Sequence, residues 1–230
     1  MVQTERAASK TGRSMKNRRF TGWPEEAFDL LLQLEGDPPR SLRESLRRDR
    51  QRLIRQPMIA LLSDVADADP AYEDFHVWGF GKTSWGWQRQ ATMVRIERGI
   101  ELSVGFDLDG VSVSGNGWFV DSDMVLRYRR AVADDRTGPE LVEMLDELQG
   151  EGFSLSAPAL QRVPRGYTRE HPRADLLRHG SIAVHRLLGA GAWVHTAEAV
   201  DRVLAGFGQL RPLMEWLSDN VGSGAIDDPP

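Results

Sequence analysis

The chain contains no cysteine, and of its 29 basic residues only Lys10, Lys16 and Lys82 are lysine. The missing thiols exclude disulfides, thiolate zinc sites and cysteine nucleophiles, and they suit a reducing compartment. Long apolar runs are absent too: nothing approaches the roughly 20 residues that a membrane helix needs. Residues 1–20 are polar, with no apolar stretch before a small-residue cleavage site. The expected location is the cytoplasm, with no membrane contact. Other absences narrow the chemistry. No Gly-x-Ser-x-Gly elbow offers a serine nucleophile, and no two of the five histidines have the spacing of H-E-x-x-H, so no metal site is expected. Gly81-Lys82-Thr83 ends like a phosphate-binding loop, but His76 stands where the first glycine belongs and SWGWQRQ leads into strand-like alternation rather than a helix. No cofactor is implied.

What is present describes an ordinary globular chain. Forty per cent of its 230 residues are apolar and 27% charged, enough for a core without staples. The net charge of -5 is unevenly spread, because residues 1–60 carry 13 Lys+Arg against 8 Asp+Glu while the rest carries 16 against 26. Residues 1–19 hold six of the basic side chains and almost no apolar ones, so they read as a disordered basic arm. Residues 222–230 read as a disordered tail and residues 20–221 as a single domain.

Periodicity divides that domain. Pro24 opens a helix through EEAFDLLLQL, stopped by Gly36-Asp37-Pro38-Pro39. Ser41 and Glu44 have capping-box spacing for a second helix, and Pro57 marks off MIALLSDVADA as a separate or kinked segment. Ile100, Leu102, Val104, Phe106 and Leu108 then alternate with polar residues, a period-two strand with one wet face. With the turns Arg98-Gly99 and Asp109-Gly110, residues 91–115 predict a three-stranded antiparallel meander, with FHVWGF at 75–80 as a further strand. Helical spacing returns after Ser122, read as an N-cap, and after Thr137-Gly138-Pro139. SIAVHRLL reads as a strand, and a long apolar-faced segment opens at Thr196, broken by Gly206, Gly208 and Pro212. The fold class is α+β, a central antiparallel sheet packed with helices.

The basic and aromatic residues supply the candidate site. Lys82 lies among Trp78, Trp85 and Trp87, while Arg129 sits on a helix and Arg162, Arg165, Tyr167 and His171 share a loop. Arginine clamps carboxylate or phosphate bidentately, and tryptophan offers an apolar wall. The ligand-binding candidates are therefore Lys82, Trp85, Arg129, Arg162, Arg165 and Tyr167, around a small anionic ligand, with His171 the one candidate acid or base. The plainer alternative is that the tryptophans pack and the arginines pair with the chain's own carboxylates. The rival from a different class is a scaffold without catalysis, whose arm at residues 1–19 makes a weak, sequence-blind nucleic-acid contact. The sequence leaves enzyme against binding protein open.

Five stretches carry a family resemblance: FTGWPEEAF, the proline of RQPMIALL, GNGWFVDSDMVLRYRRAV, LQRVPRGYTREHPRADLL and LRPLMEWLSDN. In this order and spacing, from about Phe20 to Val221, the chain resembles the bacterial domain of unknown function 2461 family. The resemblance implies a fold and a length but no catalytic residues, since the family has no assigned activity. Its members carry a lysine followed by Thr or Ser and then Pro-Tyr, where this chain has Lys82-Thr83-Ser84-Trp85. An Asn-rich loop with Trp-Phe is replaced by Asp37–Leu42, and an Arg-Asp-rich stretch by FHVWGF, so the chain resembles a divergent member.

Overall fold

The structure, a computed structural model, describes residues 18–79 and 86–222. Lys82 and Trp85, most of the basic arm and nearly all of the tail lie outside the described residues. Among the described residues six strands form one antiparallel sheet: β1 (Phe75–Val77), β2 (Gln90–Glu97), β3 (Ile100–Asp107), β4 (Gly110–Gly117), β5 (Ser154–Leu155) and β6 (Ile182–Gly189). Their spatial order is β1-β2-β3-β4-β6-β5, so the meander read from the alternation is the sheet's centre. The pairing of Ile100 with Gly117 and of Phe106 with Val111 puts the apolar rows of β3 and β4 on one face. Helix α4 (Gln56–Ala68) and helix α8 (Glu198–Asn220) pack over that face, and their buried rows complete the core.

The N-terminal stretch anchors this core. Trp23 is 1% exposed, stacks on Phe106 with ring centroids 4.3 Å apart and donates its indole N–H to the Ile54 carbonyl at 3.3 Å. His195 Nδ1 meets the Trp23 carbonyl at 2.7 Å; a carbonyl only accepts, so this nitrogen carries the proton. Arg18 and Arg19, the last residues of the sequence-read arm, are tied to the body: Arg18 to the Asp201 carboxylate and the Ala197 carbonyl, Arg19 to Asp67. The buried Asp64 carboxylate accepts the backbone N–H groups of Arg19 and Phe20.

Several local expectations need correction. Helix α1 spans Glu26–Gln33 as foreseen, but the second helix, α2 (Arg40–Ser45), starts behind Pro39, and Ser41 makes no capping box. Proline's fixed φ opens α2, and Arg40 and Glu44 pair along its side at 2.7 Å. Helix α3 (Arg47–Arg50) runs into a π-helical turn at Gln51–Arg55 before α4 begins, with Pro57 in its first turn. The wide turn accommodates a residue that has no N–H to donate. The N-cap of α5 (Ser122–Ala133) is Asp121, whose side chain accepts from Met124 N at 2.8 Å, and not Ser122. Helix α8 runs through Pro212 unbroken, held by ten buried residues along one side. Among the described residues no helix is long and apolar enough to cross a membrane.

Candidate functional site

Helix α6 (Thr137–Gly150) leads into the short strand β5, which pairs Ser154 with His185 and Leu155 with Val184 at the edge of β6. The chain then crosses back as a long loop into the short helix α7 (Ala174–Leu177). Between α6, β5 and this loop lies a cleft of about 790 Å³. Its floor is apolar, built from Leu145, Leu148, Phe153, Leu155 and Val184, and one wall is formed by Arg169, His171 and Arg173. An adjoining hollow of about 530 Å³ shares Val142, Asp146, Pro172 and Arg173.

The wall is rigid for local reasons. Tight turns close from His171 N to the Thr168 carbonyl and from Ala174 N to the His171 carbonyl, with Pro172 between them. The Arg173 guanidinium, its side chain only 9% exposed, reaches the C-terminus of α5. Its Nε donates to the Val132 carbonyl at 2.6 Å, and its Nη2 to those of Ala133 at 3.0 Å and Asp134 at 3.1 Å. The Val132 and Ala133 carbonyls end α5, whereas that of Asp134 also accepts the Gly138 N–H of α6 at 3.1 Å, and a cation there opposes the negative end of the helix dipole. Gly138 makes the approach feasible, since a Cβ on it would fall closer than 3.0 Å to the Val132 carbonyl and the Arg173 side chain. Nη1 of Arg173 has no hydrogen-bond partner among the described residues, and neither does the guanidinium of the exposed Arg169. Of the lining carboxylates, Asp175 is engaged by Arg178 at 2.9 Å, whereas Asp146 has no ion pair among the described residues.

Of the residues singled out from the sequence, His171 lines the cleft. Arg162 and Arg165 are exposed on the same loop, and Tyr167 is half-buried, edge-on to His171 with ring centroids 6.4 Å apart. None of these three lines the cleft, and neither does Arg129. Arg129 is half-buried on α5, its Nε fully enclosed and without a hydrogen bond among the described residues. Beside residues 80–85, the exposed Trp78 is edge-on to His76, and Arg43 lies over Trp87 at 4.2 Å. Burial pushes nearby Arg50 down to about 10, with the Arg55 charge acting in the same direction. Arg169, Arg173 and Asp146 were not picked out from the sequence. The available signal was the placement of an arginine two residues either side of His171.

Among the described residues no group of three or more histidines and carboxylates could hold a metal. His179, behind the wall, is 3% exposed with Nδ1 unbonded among the described residues. Burial holds it below the usual imidazole range, against a backbone hydrogen bond with Ser181 that favours the charged form. The unfolded chain takes up this proton as pH falls through about 6.5, where the folded chain resists it. The unfolded state then binds more protons, so stability drops as the pH falls below that value. Urea unfolding at neutral and mildly acid pH checks this: wild type should lose stability on acidification, and His179→Gln should lose less.

No curated protein and no solved structure matches the chain. A family model described as "Conserved hypothetical protein (DUF2461)" matches residues 83–216, a span that runs into α8 and includes every residue of the cleft. That match covers more than half of the 230 residues, and the chain belongs to this family.

Proposed function

We propose that the cleft binds a small anionic molecule, a carboxylate or phosphate ester with an apolar body, through Arg169, His171 and Arg173. One observation carries this reading: an apolar floor meets a wall of Arg169, His171 and Arg173, the last committed through Nε and Nη2 to the end of α5 and to Asp135 at 3.4 Å, in a cavity of about 790 Å³, within the few hundred to about 1,000 Å³ of small-molecule sites. Guanidinium groups recognise oxyanions with charge-assisted hydrogen bonds, the stronger class. Arg173 is held in place by the α5 carbonyls before any ligand arrives, so little side-chain freedom is lost on binding. Arg162 and Arg165, without ion pairs among the described residues, add positive potential earlier on the same loop.

Other stretches that carry the family likeness have packing roles. Phe20 and Trp23 of FTGWP are core residues, Phe119 of GNGWF lies on Tyr128 with centroids 4.6 Å apart, and Trp216 of LRPLMEW donates to the Thr137 carbonyl at 3.0 Å. PRGYTREHPR is the stretch whose polar groups border a cavity.

The test is a thermal-shift panel of phosphorylated and carboxylated metabolites on wild type and Arg169→Ala. A ligand at about 100 times its dissociation constant stabilises by roughly 2.7 kcal/mol, several degrees of melting temperature for a chain of this size. Wild type should shift with at least one anion, and Arg169→Ala, melting like wild type alone, should lose most of that shift. An equal shift in both would remove Arg169 and the cleft from the proposal.

A further inference from the structure

We infer that His171 keeps Nδ1 as an acceptor for the backbone and presents a proton from Nε2, and that as a donor it selects an oxyanion in the cleft. The choice of ligand rests on the functional reading above; the state of the ring does not. The backbone N–H of Arg173 points at His171 Nδ1 over 3.1 Å. A backbone N–H can only donate, so Nδ1 must present its lone pair, and the one proton of a neutral ring then sits on Nε2. The arrangement copies an Asx turn, with the ring nitrogen in place of a side-chain oxygen. Pro172 has no N–H of its own, so Arg173 supplies the first backbone donor that the ring can meet. Two residues are thus locked together: the backbone of Arg173 orients the imidazole, and its side chain ties the turn to α5.

Two consequences follow from this locking. The basic nitrogen of His171 is occupied by the backbone, so the ring is a poor general base and a ready donor through Nε2–H. Together with the Arg169 guanidinium and the Nη1 of Arg173, it makes this wall a set of donors, while Asp146 of α6 is the lining carboxylate without an ion pair among the described residues. A group that is all acceptor, a carboxylate or a phosphate, can meet several of these donors at once, whereas a hydroxyl or an amide offers a single neutral acceptor oxygen and an ammonium offers none.

Isosteres separate the two duties of the ring. His171→Asn puts an amide oxygen near the place of Nδ1 and keeps the turn, but it has nothing at Nε2. His171→Gln extends an N–H₂ towards the place of Nε2 and loses the turn acceptor. The full-length protein is titrated with phenyl phosphate, with benzylamine as the cationic counterpart, and the ring state is read from long-range ¹H–¹⁵N correlations at neutral pH. The expected results are an Nε2–H pattern for His171, binding of phenyl phosphate and not benzylamine by wild type, and binding weakened about tenfold or more in His171→Asn at a near wild-type melting temperature. His171→Gln should melt lower yet retain more binding than His171→Asn. An Nδ1–H pattern, or a folded His171→Asn that binds like wild type, would overturn the donor role while leaving the cleft. No binding of phenyl phosphate by wild type would overturn the oxyanion selection together with the functional reading.

Discussion

Gly22→Ala should cost about 4 kcal/mol or more and leave little folded protein at 37 °C, whereas Gly36→Ala should cost only about 1 kcal/mol. Both glycines have positive φ, +114° at Gly22 and +74° at Gly36, so both substitutions carry the strain of a left-handed backbone. The surroundings separate them. A Cβ on Gly36 meets nothing within 4 Å, while one on Gly22 would fall closer than 3.0 Å to the carbonyl of His195 and to Thr196 N. Those are backbone atoms in a segment that also accepts the Trp23 N–H at the Val194 carbonyl, so relief means pulling Trp23 off Phe106. Urea unfolding of the two variants beside wild type reads the difference. Equal costs would show that the N-terminal stretch is not pinned against the segment before α8.

Arg173→Ala should cost about 3 kcal/mol, or roughly 6–12 °C of melting temperature, and should abolish anion binding as well. The guanidinium serves three carbonyls at the end of α5, and its removal strips these acceptors of a charged donor in a half-buried place. Hydrogen bonds to charged groups are worth about 1.5–3 kcal/mol each, but the carbonyls recover part of that from water. Arg173→Lys should recover little, because one ammonium cannot reproduce a fork that bonds through Nε and Nη2 together. Arg169→Ala, at an exposed position without such duties, is the contrasting case: binding falls while melting stays.

The sheet was legible because its signal is local. Ile100 to Phe106 alternate with polar partners, two short turns bracket them, and no residue far along the chain needs to be known. Helix ends were read less well. Ser41 and Ser122 have good capping chemistry, yet Pro39 and Asp121 hold those positions, since single-residue offsets are decided by how the chain enters from the preceding loop. The continuity of α8 through Pro212 depends on its burial against the sheet, which no window of sequence contains.

The cleft was only partly legible. His171 stood out as a titratable residue, and its turn-forming role beside proline could be foreseen. The partners that make it part of a cavity come from elsewhere: the α6 side chains through the pairing of β5 with β6, and the fixed Arg173 through the end of α5. Arg173 was passed over because an arginine after His-Pro carries no local mark of a helix terminus about 40 residues earlier. Arg162 and Arg165 were chosen for crowding on one loop, and that crowding does not bring them to the cleft lining.

The most direct measurement is a map of backbone amide shifts as phenyl phosphate is titrated into the isotopically labelled full-length protein. The largest changes are expected at Arg169–Leu176, excluding prolines, and along the α6 residues that line the cleft, saturating with a single dissociation constant and vanishing in Arg169→Ala. Saturable changes confined to residues flanking 80–85, or around Arg129 on α5, would contradict it and move the anion site to another part of the fold.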